Sequence, residues 1–198
     1  SGVVLDASAL LKGDGGEIVA WSDIKNPDSL TIAKGKYLSR GGVDGGNGGR
    51  IETSGYRLDV AGIDIDLMPF VASYSPGEWL IDPYNIEIFT AASINTGAPP
   101  NYQSTASGAI LYTWDLENAL TDGNVTVTTG AVGSAGGEAG NININASLSI
   151  SAPTNLLTLT AANQINVNQD ITRSDGGDIV LNAATVLGTS DIDLNGGD

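Results

Sequence analysis

The chain contains no Cys and no His, a single Met, and only eight basic residues against 23 acidic ones in 198. Each shortage excludes chemistry. Without Cys there is no disulfide scaffold, thiol nucleophile or thiolate metal site. Without His there is no Ser-His-Asp triad and no imidazole base or metal ligand. No apolar run approaches the ~20 residues of a membrane-spanning helix, so membrane insertion is not expected. The net charge of −15 repels phosphate backbones and sets nucleic acid aside as a partner. Disorder is excluded too, because 41% of the residues are hydrophobic and only 16% are charged.

What the chain has in quantity is glycine, 27 residues, about double the ordinary ~7%. Its charge is also unevenly placed. Seven of the eight bases (Lys12, Lys25, Lys34, Lys36, Arg40, Arg50, Arg57) fall in the first 57 residues, which are formally neutral. From Leu58 onward Arg173 is the only base, so the whole excess of acid lies there.

Apolar residues alternate with polar ones in short runs, as in Ile63-Asp64-Ile65-Asp66-Leu67, Val125-Thr126-Val127, Asn141-Ile142-Asn143-Ile144-Asn145 and Ile165-Asn166-Val167-Asn168. Period-two alternation marks strands with one buried face. A glycine cluster leading into a strand recurs near residues 13–19, 46–52, 136–142 and 175–180. Turn-then-strand repetition predicts an all-β fold, a right-handed parallel β-helix (β-solenoid) with loop excursions, running as one segment over residues 1–198 in about eight coils. The glycines are expected at corners that need positive φ. Residues 91–112, rich in Pro, Ser, Thr and Asn, read as the main excursion. Residues 113–120 read as a helix of at most two turns, capped by Thr113 and ended by Asp122-Gly123.

Two stretches carry a family likeness. GGNGGRIETSGYRLDV (Gly45 to Val60) and GEWLIDPYNIEI (Gly77 to Ile88) resemble the filamentous haemagglutinin family, the large exoproteins of bacterial two-partner secretion. The matching positions are Gly45, Gly46, Asn47, Gly48, Gly49, Glu52, Thr53, Ser54, Gly55, Trp79, Leu80, Asp82 and Pro83. LENALTDGNVTVTTG (Leu116 to Gly130) and the Asn-rich strands after it look like adhesin repeats of that family. The resemblance implies an internal segment of a secreted bacterial surface protein. It would be a non-catalytic stalk or filament unit that meets host or environmental glycans or proteins through loops or outward strand faces. It also implies an outer-membrane transporter as partner during secretion. End-to-end self-association is a further expectation, from the exposed ends of a rod. Within the excursion, Asn95, Asn101 and Tyr102 are the loop candidates for binding.

Other residues were weighed for chemistry. Asp64 and Asp66, like Asp191 and Asp193, place two carboxylates on one strand face ~7 Å apart at the backbone. Such a pair is the raw material of a carbohydrate-active enzyme, the alternative function. The calcium-binding nonapeptide fails at Arg50, which occupies the Asp position after Gly45–Gly49. No cofactor and no metal are therefore expected, beyond an adventitious structural calcium at Asp14, Glu17, Asp175 and Asp178. Asn124 and Asn145 lie in Asn-x-Ser/Thr sequons and are candidates for glycosylation. Trp79 and Leu80 are expected in the core and Asp82-Pro83 in a turn. Exposed Trp21, Tyr56, Tyr74 or Tyr102 would be the rings available to stack on sugars.

Overall fold

The computed structural model describes residues 3–90, 109–130, 140–151 and 154–194. These form nineteen strands and one helix. In chain order the first strands are β1 (Val4–Asp6), β2 (Glu17–Trp21), β3 (Leu30–Ile32), β4 (Gly35–Leu38), β5 (Arg50–Gly55), β6 (Arg57–Asp59) and β7 (Ile63–Asp66). Then come β8 (Glu78–Pro83), β9 (Ile86–Phe89), β10 (Ala109–Tyr112) and α1 (Thr113–Asp122). The rest are β11 (Asn124–Thr128), β12 (Asn141–Ile144), β13 (Leu148–Ile150), β14 (Leu157–Thr160), β15 (Gln164–Val167), β16 (Ile171–Arg173), β17 (Ile179–Asn182), β18 (Thr185–Gly188) and β19 (Ile192–Asp193).

The strands form four sheets, and every pairing is parallel. One sheet has six strands, ordered β2-β5-β8-β11-β14-β17, and one has seven, ordered β3-β6-β10-β9-β12-β15-β18. Two three-stranded sheets, β1-β4-β7 and β13-β16-β19, complete the set. Except where β9 is followed by β10 of the same sheet and by α1, the chain visits them in rotation: a strand in the six-stranded sheet, a strand in the seven-stranded sheet, then one in a three-stranded sheet. Among the described residues it enters the six-stranded sheet six times. The return is uneven, longest from Trp79 to Val125, an interval that holds α1; residues 91–108, most of the expected excursion, lie outside the described residues.

The alternation sorts residues as the sequence requires. Ile51, Trp79, Val125 and Leu157 stack in register along the six-stranded sheet and are fully buried. Ile86, Ile142 and Ile165 do the same along the seven-stranded sheet, and Leu148 and Ile171 along the third face. Each such side chain contributes roughly 1.5–3 kcal/mol by leaving water.

The helix corrects the expectation in three ways. It runs over ten residues, begins after Tyr112 in extended conformation, and has no side-chain cap, so Thr113 is its first residue rather than its cap. Residues 109–112, read as part of the loop, form strand β10 between β6 and β9. The helix packs against β7 and β13, which separates the two three-stranded sheets. A helix is ~10 Å wide. With half a strand spacing on each side it takes up ~15 Å, close to the three ~4.8 Å steps that separate β6 from β12 once β10 and β9 lie between them.

Carboxylates and carbonyls of α1 then replace the missing strand. Asp115 Oδ2 accepts from Gly62 N–H at 3.1 Å, and Glu117 Oε1 accepts from Ser149 N–H at 2.8 Å. The carbonyl of Asp122 accepts from Leu67 N–H, and that of Leu120 accepts from Asn155 Nδ2. Leu116, Ala119 and Leu120 fill the core beneath.

Candidate functional site

The two family-like stretches lie on neighbouring strands. β5 and β8 pair so that Ile51 sits beside Trp79, Glu52 beside Leu80 and Ser54 beside Asp82. Trp79 is fully buried and its Nε1–H donates to Thr53 Oγ1 at 3.1 Å. Leu80 is not core: it alternates outward and is half-buried between Glu52 and Thr126. Asp82 and Pro83 are not a turn either, but the last two residues of β8, in register with Ser54 and Gly55. The chain bends after them, where buried Tyr84 stacks on Tyr56 with ring centroids 4.9 Å apart. That contact removes Tyr56 from the rings available to a ligand.

The glycine-rich turn stacks on the loops before and after it. Asn47 N–H donates to Asp14 Oδ1 at 2.7 Å, and Asn47 Oδ1 accepts from Ser75 N–H at 2.9 Å. Gly45 and Gly46 have positive φ, as a corner demands. Gly49 and Gly77 do not. They are needed because their backbones touch: Glu78 N–H donates to the Gly49 carbonyl, and a Cβ on Gly77 would collide with that same oxygen.

Outward from this scaffold the six-stranded sheet presents a flat polar face. One row runs Val19, Glu52, Leu80, Thr126, Thr158, Val180, and the next runs Trp21, Ser54, Asp82, Thr128, Thr160, Asn182. Its side chains are tied to one another. Arg50 bridges Glu17 and Glu52, Ser54 Oγ donates to Glu52 Oε1 at 2.9 Å, and Thr128 Oγ1 donates to Asp82 Oδ1 at 2.7 Å. Burial pushes the Asp82 carboxyl up; the Thr128 hydroxyl pulls it down, and nearby Glu52 adds to the rise. Trp21, 61% exposed, stands at one end of this face. The seven-stranded sheet carries a second polar array, in which Asn163, Asn166 and Asn168 donate to Asn141, Asn143 and Asn145 at 2.7–2.8 Å. Fixed hydroxyls, amides and carboxylates beside an exposed ring can hydrogen-bond and stack on sugars with little side-chain ordering left to do.

The other candidates fall elsewhere. Asp64 lies 3.2 Å from Lys36 Nζ on β4 and Asp66 accepts from Arg40 Nε, just past that strand, at 2.8 Å, so both carboxylates are paired with cations. Asp191 donates its N–H to Asp170 Oδ1, and both Asp191 and Asp193 are exposed. The carboxyl that burial raises most, to about 6, is Asp115, which the sequence reading missed. It is 3% exposed and accepts from Gly62 N–H. Asp14 accepts from Asn47 N–H, Glu17 pairs with Arg50 and Asp175 with Arg173. Among the described residues no three carboxylates converge on a metal-sized site. Asn124 Oδ1 accepts from Leu156 N–H, and Asn145 is engaged by Asn168. Tyr74 leans over Gly45. Asn95, Asn101 and Tyr102 lie outside the described residues. No protein-family model matches the chain, and no curated protein matches it.

Proposed function

We propose that the chain is a segment of a right-handed parallel β-helix, and that it serves as a non-catalytic, adhesive stretch of a secreted bacterial surface protein of the filamentous haemagglutinin type. The single observation that carries the reading is the register of β5 against β8. It sets the Ile-Glu-Thr-Ser-Gly strand, which follows the Gly-Gly-Asn-Gly-Gly turn, beside the Trp-Leu-Ile-Asp-Pro strand, with Trp79 bonded to Thr53. Parallel strands visited in rotation need crossovers of one hand, and right-handed crossovers prevail almost without exception. The polar face of the six-stranded sheet, with Trp21 at its end, is the surface assigned to glycan contact. Sugar hydroxyls would meet Glu52, Ser54, Asp82 and the Thr rows, and a sugar ring would stack on Trp21.

The test is binding of the labelled chain to a glycan array and to intact host cells. Retention that falls about tenfold or more in Trp21→Ala supports the reading, and absence of retention on every surface sinks it. A reducing-sugar assay over a polysaccharide panel addresses the enzymatic alternative. Cleavage lost in Asp64→Asn or Asp66→Asn would replace this proposal. The ion pairs of both residues speak against that outcome, because a glycosidase needs one carboxyl kept protonated in a cleft.

A further inference from the structure

The middle of the six-stranded sheet turns outward a surface that accepts hydrogen bonds and has few to give. Over β5, β8 and β11 one outward row holds Glu52, Leu80 and Thr126, and the next holds Ser54, Asp82 and Thr128. All three hydroxyls spend their protons on carboxylates of the same face: Ser54 on Glu52, Thr126 on Glu78 and Thr128 on Asp82. Each of the three strands is paired on both sides, so their backbone N–H groups are taken by the ladder. What remains is oxygen with lone pairs. We propose that this face selects glycans by charge, taking amine-bearing and uncharged sugars and refusing sulfated or acidic ones. The proposal rests on the glycan-binding reading above and names the class of sugar that reading leaves open.

Donor and acceptor balance points to that ligand first. A hydroxyl oxygen whose proton is already given can only accept, as an ionised carboxylate can. Glu52, Glu78, Asp82 and the oxygens of Ser54, Thr126 and Thr128 therefore call for donors, which sugar O–H and ammonium groups supply. Sulfate and carboxylate groups carry no proton at neutral pH and would set acceptor against acceptor. Charge points the same way. Arg50 is the only base on the strands of this sheet, against the acids Glu17, Glu52, Glu78 and Asp82. It is already held between Glu17 and Glu52. An anionic sugar would meet like charge with no free cation to offset it, whereas an ammonium group would meet its opposite. Leu80 supplies the apolar part of the contact. It lies outward and half-buried between Glu52 and Thr126, where the C–H face of a sugar ring can leave water within reach of the surrounding acceptors. The rows cross strands ~4.8 Å apart, so a linear glycan laid along them meets fresh side chains at each strand.

Retention of the labelled chain on linear glucan, galactan and mannan oligosaccharides, each immobilised in neutral, amine-bearing and sulfated forms, tests this. The amine-bearing form is expected to be held most tightly, and the sulfated form about tenfold or more weakly than the neutral one. Salt is expected to weaken the amine-bearing contact and to leave the neutral one unchanged. Glu17→Gln/Glu52→Gln frees Arg50 and takes two charges from the face, so the penalty on the sulfated form is expected to shrink about tenfold. Asp82→Asn keeps an oxygen for Thr128 and adds an amide donor, with a change in the same direction. Unchanged circular dichroism verifies the folding of both variants. A sulfated form held as tightly as the neutral one overturns the proposal. So does an amine-bearing form held less tightly than the neutral one, or a ratio of sulfated to neutral retention that neither variant moves. Glycan binding itself stands in each of those cases. Retention of no form also overturns the proposal, and an empty wider array removes the binding reading with it.

Discussion

Asp115 and Arg173 show what single charges do in this interior. Burial raises the Asp115 carboxyl to about 6; the Gly62 N–H holds it down and Asp59 pushes it further up. The folded chain therefore binds a proton that the unfolded chain has already lost between pH ~4 and ~6. Stability from this group is full below that window and falls as pH climbs through it, by about 3 kcal/mol at most. Asp115→Asn stays neutral and keeps an oxygen for Gly62. Urea unfolding is expected to show the variant more stable than wild type at pH 8 and equal to it below about pH 3.5, under the unfolded carboxylate pKa. A variant no more stable at pH 8 would refute this. Arg173 is fully buried and donates to Asp175 through Nε and Nη2, and to the carbonyls of Asp178 and Asn155. It holds the Asp175 carboxyl below its usual range, so that pair's stabilisation is present above the ordinary carboxylate pKa and is lost as pH falls through the depressed one. Arg173→Met leaves these acceptors without their cation and is expected to cost about 3–5 kcal/mol in chemical denaturation. A loss under about 1 kcal/mol would show that water replaces the guanidinium.

Elements explain how much was legible. Alternation over Asn141 to Asn145 gave strand, buried face and outward Asn row together, because all three depend on adjacent residues. It failed at Leu80, an apolar residue whose outward place is set by its strand's parity rather than by its own hydropathy. It failed at Ala109–Tyr112, where four apolar residues give no period and follow a Pro- and Ser-rich stretch. The candidate face was the least visible, since its rows join residues 22 to 46 positions apart in the chain, through pairs such as Thr158 with Val180 and Leu80 with Thr126. The same distance hid the reason for the glycines. Positive φ at Gly45 and Gly46 follows from the local turn, but Gly49 and Gly77 are required by each other across a strand spacing. Gly77→Ala presses a methyl on the Gly49 carbonyl, backbone that has no rotamer with which to yield. A cost of about 2–3 kcal/mol is expected from thermal or urea melts. A neutral result would mean that the stacked loops slide apart at little cost.

For the molecule as a whole, formal charge by segment misleads until the register is applied. The basic strand β4 and its flanks do not neutralise their own segment: Lys34 pairs with Asp59, Lys36 with Asp64 and Arg40 with Asp66, all acids of the following segment. Beyond Tyr84, Arg173 is the only base among the described residues, and it is committed to Asp175. Acid thus outnumbers base over the later strands, around Glu87, Asp170 and Asp191, while the earlier strands carry ion pairs. Salt has opposite effects on the two. It screens like-charge repulsion over ~10 Å at 0.1 M, and it weakens exposed pairs that are worth at most ~1 kcal/mol each. Hydrogen exchange of the chain, compared at low and high salt, is expected to show protection rising with salt over β14 to β18 and unchanged or falling over β4 to β7. Equal gains along the whole chain would mean that the net charge acts as one diffuse field and that the ordering of ion pairs along the stack has no bearing on its stability.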